Sequence, residues 1–85
     1  MSKLFSLTVV AKLEGLLKGF REEEDLEGVE IICHIFSNLF LSKRTVQHVE
    51  RNHRKTVLIE TFYELLSLNS EINLACMDIF ERFQS

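Results

Sequence analysis

At 85 residues with a net charge of −3, the chain is long enough for one small domain spanning 1–85. A domain this short buries only about 60–65% of the surface its unfolded chain exposes, so a partner is a natural source of extra stability. Two cysteines are too few for a disulfide scaffold, and charges interrupt every apolar run well before the about 18 residues a membrane span needs.

The amino-terminal stretch MSKLFSLTVVAKLEG carries one lysine before a short apolar segment and shows no small-residue cleavage site, so it reads as folded structure. Ser2 and Ser6 are candidate N-caps. Val10, Leu13, Leu17 and Phe20 then step by three, four and three, which predicts an amphipathic helix from about Leu7 to Lys18. Gly15 and Gly19 have two readings. Gly19 is a helix C-cap, or the pair forms a groove for another helix.

Arg21 to Phe40, REEEDLEGVEIICHIFSNLF, is the organising stretch. Leu26, Val29, Cys33, Phe36 and Phe40 fall on one helical stripe, widened by Ile32, Ile35 and Leu39. Glu22, Glu23, Glu24 and Asp25 precede it and suit a helix N-terminus, where carboxylates meet unpaired N–H groups. Gly28 inside the helix costs about 1 kcal/mol relative to alanine, and marks a close contact or a later start.

Ser42 is a good N-cap for SKRTVQHVERNHRK, in which Val46 and Val49 are the apolar anchors. The pattern leaves open whether Ser42 to Leu68 is one helix or two broken near Asn52 to Thr56. Leu58, Phe62, Leu65 and Leu66 give the following segment its apolar face. Asn69 suits a helix end and Ser70 a cap for the last helix, where Ile72, Cys76, Ile79 and Phe83 step four, three and four. With no proline, three glycines and no strand-like alternation, the expected fold is all-α, a compact bundle of four or five helices.

Chemistry-bearing motifs are scarce. His48 and His53 are five apart, and no CxxC, HxxxH or HExxH occurs. Cys33 and Cys76 lie in apolar stripes, where thiolates are disfavoured and reduced core thiols are the ordinary state. We therefore expect no enzyme activity, no cofactor and no metal. Reduced thiols also favour an intracellular, cytoplasmic setting.

Charge, by contrast, is strongly patterned. Seven acids lie between Glu14 and Glu30 against Lys18 and Arg21, and five bases (Lys43, Arg44, Arg51, Arg54, Lys55) lie between Lys43 and Lys55 against Glu50. The expected function is a non-enzymatic protein–protein interaction and self-association module, an antiparallel homodimer in which acidic and basic stretches meet. Phe36, Phe40, Phe62 and Phe80 are its expected core or interface anchors, since aromatics carry much of such energy. The basic residues form the charged contact, or a nucleic-acid face.

That second possibility rests on a resemblance. SKRTVQHVERNHRK is similar to the recognition-helix portion of LuxR-type helix-turn-helix regulators, in which Ser-x-Arg-Thr-Val is followed by a histidine and later an Arg-Lys pair. Ser42, Arg44, Thr45 and Val46 match the start, and Arg54 and Lys55 the end. The resemblance implies that Arg44, Gln47, Arg51 and Arg54 face phosphates or base edges in a major groove. The chain departs from the pattern in placing His48 two residues after Val46 rather than three, and one residue turns a helix by about 100°. Asn52 or His53 also stands where the family has an apolar core residue, and the preceding helix lacks the expected small residue. In length, helical character and lack of motifs the whole chain also resembles the small accessory proteins of plant closteroviruses, criniviruses in particular. That resemblance implies a host-cell cytoplasmic protein acting through protein contacts.

Overall fold

The computed structural model describes the backbone of residues 2–84 and the side chains of residues 8–84. Five helices follow one another: α1 (Ser2–Glu22), α2 (Leu26–Leu39), α3 (Lys43–Arg51), α4 (Lys55–Leu65) and α5 (Ser70–Gln84). The bundle is all-α, as the periodicity predicts. Among the described residues there is no strand, and no helix is long and apolar enough to cross a membrane.

α2 lies at the centre, packed against α1 on one side and α5 on the other; α3 leans on α1 and α4 on α5. This arrangement follows from the stripe on α2. Val29, Ile32, Cys33, Phe36 and Phe40 are all buried, while Leu26 and Ile35 are not. Phe36 stacks on Phe40 at 5.6 Å between centroids and meets the edge of Phe62 at 5.2 Å; Phe40 also tilts against Phe83 at 4.9 Å. Three of the four aromatic anchors named above, Phe36, Phe40 and Phe62, are thus fully buried within the subunit. Phe80 is partly covered and lies beside exposed Tyr63, with centroids 6.0 Å apart.

α1 is longer than its stripe implies. Ser6 lies inside the helix rather than at its cap, because nothing between Ser2 and Leu7 breaks helical backbone. Gly19 does not end it either. The stop comes at Glu24, which adopts left-handed backbone with φ 58°. There the Asp25 N–H donates to the Phe20 carbonyl at 2.9 Å, and the Glu24 N–H to the Arg21 carbonyl at 3.0 Å. This pair of bonds is the Schellman arrangement, with glutamate where glycine is usual. Gly15 and Gly19 serve no packed groove: a Cβ at either would meet nothing within 4 Å.

The same device separates α3 from α4. His53 has φ 59°, its N–H donates to the Glu50 carbonyl, and the Arg54 N–H donates to the Val49 carbonyl. Ser42 to Leu68 therefore holds two helices. Ser42 caps α3, its Oγ accepting from the Thr45 N–H at 3.3 Å. α5 is capped by Asn69, not Ser70: the Ile72 N–H donates to Asn69 Oδ1 at 2.8 Å, and Ser70 is already helical. An Asn carboxamide performs this role as readily as a serine hydroxyl.

Candidate functional site

The early end of α1 revises the meaning of the acidic run. Asp25 is a true N-cap of α2, accepting from the Gly28 N–H at 3.0 Å. Glu22, however, closes α1, and Glu23 follows it. Both sit at a helix C-terminus, where the exposed carbonyls disfavour a carboxylate. Helix-end electrostatics therefore accounts for Asp25 and leaves Glu22 and Glu23 as surplus acid at an exposed corner.

At the far end of α2 the basic residues divide into two groups. Arg54 is tied to Glu14 of α1, and Lys55 Nζ pairs with Glu50 Oε2 at 3.1 Å. Lys43, Arg44 and Arg51, with Gln47 among them, face solvent and form no ion pair among the described residues. The inner side of α3 is closed by Thr45, Val46, His48 and Val49, all buried. Of the five basic positions, three are thus free to contact something else. Glu14 is the more enclosed partner of its pair, with its side chain 21% exposed and Oε2 buried. Arg54→Glu would set two carboxylates face to face there, and is expected to lower stability by about 1–2 kcal/mol, between the values for exposed and buried pairs. Arg51→Glu should change it by less than about 0.5 kcal/mol. Urea denaturation of the two variants checks the contrast.

Between these ends, α2 carries an outward row. Glu27, Ile31 and Ile35 follow at four-residue intervals, and all are exposed, Ile31 by 54% and Ile35 by 41%. Leu41, in the turn before α3, is exposed as well. Along the chain, the acidic corner at Glu22–Glu24 comes before this row, and the exposed basic residues Lys43 and Arg44 follow it at the start of α3. Sequence periodicity missed this row by assigning Ile35 to the core face. Ile31 next to Ile32 carried no visible signal, because a helix turns adjacent residues apart by about 100°.

The two cysteines meet in the core. They lie on the adjoining helices α2 and α5, both buried as free thiols and hydrogen-bonded to one another. That hydrogen bond, burial and the nearby Glu30 carboxylate together push the Cys33 thiol far above the ordinary range. Donation from Cys33 favours the thiolate form of Cys76, against the cost of its burial. A hollow of about 600 Å³ between α3 and the end of α5 is lined by both signs of charge, Lys43 and Arg82 with Glu50 and Glu81, and so offers no single-sign cradle for an ion.

No family model matches the chain, and no curated protein or solved structure does so either.

Proposed function

We propose that this protein is a non-enzymatic self-association module whose dimer forms across the outer face of α2. The observation that carries the reading is the exposed pair Ile31 and Ile35 on α2, preceded along the chain by an acidic corner and followed by exposed basic residues. Such an order is self-complementary. A second copy turned antiparallel about a two-fold axis near the middle of α2 sets Ile31 of one copy against Ile35 of the other. The same rotation brings each Glu22–Glu27 corner to the Lys43 and Arg44 of its mate, as an isologous interface requires. Burial of the isoleucines supplies affinity, and the exposed charges choose the antiparallel orientation, since each such pair is worth only about 0–1 kcal/mol. A reducing, intracellular setting suits the buried free thiols.

Light scattering across a concentration series tests this. The expected result is a monomer–dimer equilibrium that weakens as salt rises, because exposed pairs are screened. Ile35→Glu should weaken it by about tenfold or more, and Lys43→Glu with Arg44→Glu should do so while leaving helicity intact. A strict monomer at high protein concentration would end the proposal.

One observation favours a second reading. Lys43, Arg44, Gln47 and Arg51 share the solvent face of a capped helix, so duplex DNA is the natural competitor for that face. Tight, steeply salt-dependent binding of duplex DNA by a chain that stays monomeric would replace the dimer with this reading.

A further inference from the structure

Three side chains outside the α2 outer row converge where the middle of α2 passes the first turn of α5. Glu30 and His34 stand four apart on α2, hence on one side of the helix, and Glu71 is the second residue of α5. One ligand-capable atom from each lies within 4.8 Å of the other two. Glu30 is half-buried, and His34 and Glu71 are exposed. Among the described residues none of the three forms a hydrogen bond or ion pair, while Arg21, Arg54, Lys55 and Arg82 are engaged elsewhere. Two carboxylates drawn this close repel each other, and a cation held between them and the His34 imidazole removes that cost.

The backbone explains why the three stay together. Glu30 and His34 ride on the most enclosed helix of the bundle, one turn apart. Glu71 is held by the Asn69 cap, which fixes the first turn of α5 through the Ile72 N–H. α5 is itself anchored to α2 further along, where Arg82 Nε donates to the Ser37 carbonyl at 2.9 Å. The shared core and the Arg82 bond hold α5 against α2, and side-chain rotation closes the cluster. Tetrahedral zinc sets its ligand atoms about 3.4 Å apart, a small adjustment for side chains on an open surface.

We propose that Glu30, His34 and Glu71 form a binding site for a divalent transition-metal ion, zinc in particular, at the α2–α5 junction. The donor set selects the metal. An imidazole with two carboxylates suits zinc and its first-row neighbours, whereas calcium and magnesium take oxygen ligands and more of them. Two carboxylates balance the charge of the ion, and three protein ligands leave a fourth position for water. The bound ion joins the middle of α2 to the start of α5, so it stabilises the contact on which the core is built. Neither Ile31 nor Ile35 belongs to the cluster, although His34 neighbours Ile31 on the helix, so zinc binding is read on the monomeric chain, separately from the dimer equilibrium.

Titration calorimetry with zinc alone, on the full chain, tests the site. We expect one saturable site per chain and a melting temperature that rises by several degrees with zinc. His34→Ala and Glu71→Gln should each weaken binding by about tenfold or more, while His53→Ala leaves it unchanged. Both altered side chains are exposed, so circular dichroism should match the parent; should His34→Ala fold poorly, His34→Gln serves as the second variant. Cobalt(II) supplies an independent readout, an absorption spectrum without the charge-transfer band of thiolate ligands. Absence of saturable binding up to millimolar zinc would overturn the proposal. So would binding that survives both substitutions, or a thiolate band, which would move the ion to Cys33 and Cys76.

Discussion

Phe36→Ala is expected to lower the unfolding free energy by about 3–5 kcal/mol, the largest loss any single truncation should cause in this chain. Phe36 has no exposed surface, and its ring touches the rings of both Phe40 and Phe62. It thereby joins α2 to α4 at the level where Phe40 joins α2 to Phe83 of α5. Truncation removes the transfer energy of the ring and leaves a cavity between helices too constrained to collapse into it. A chain of 85 residues has about 4–13 kcal/mol of stability in all. The variant should therefore be partly or wholly unfolded at 37 °C, a temperature at which about 1–2 kcal/mol already shifts the folded fraction noticeably. Circular dichroism against urea measures it. Phe80→Ala, at a partly covered position, should lose markedly less; equal losses would refute the assignment of Phe36 as the keystone of the core.

Gly28→Ala should destabilise by about 1–2 kcal/mol although alanine is the better helix former by about 1 kcal/mol. A Cβ at residue 28 would stand 2.7 Å from Cγ and Cδ1 of Phe20 and 2.9 Å from Cδ2. Those atoms include the root of the ring, which moves only if the side chain abandons its place in the last turn of α1. Phe20 packs against the core, so that movement uncovers apolar surface. The clash outweighs the propensity gain, and the test lies in the change of sign. In a Phe20→Ala background the same Gly28→Ala substitution should become neutral or stabilising by up to about 1 kcal/mol. Denaturation of the four chains of this double-mutant cycle gives the answer, and an alanine that stabilises the parent would contradict the close contact.

Much of the architecture was legible because helical stripes repeat locally. Val29, Cys33, Phe36 and Phe40 identify α2, and Ile72, Cys76, Ile79 and Phe83 identify α5, whatever lies around them. The ends were less legible. Glu24 and His53 stop helices in left-handed backbone that costs about 1–2 kcal/mol for a side-chain-bearing residue, so neither reads as a stop in sequence. Their tolerance comes from the paired hydrogen bonds each turn completes. Gly19, the residue that looked like a stop, lies inside α1 because helical backbone continues past it unopposed. Of the candidate surface, the two charge clusters were visible, but not the division of the basic one. Arg54 meets Glu14 only because α3 lies across α1. The cluster of Glu30, His34 and Glu71 was hidden for a related reason: two members share a helix, while the third arrives from the far end of the chain.

The central place of α2 between α1 and α5 has a consequence for how the protein is made. α1 is synthesised before α2 and is present to cover one flank as soon as α2 emerges. The other flank waits for α5, the last of the five helices to be made. A helix of 14 residues is marginal in water by itself, and until α5 arrives α2 lacks the cover of one flank of its stripe, Phe40 included. Completion of α5 is thus the step that commits each chain to its own core.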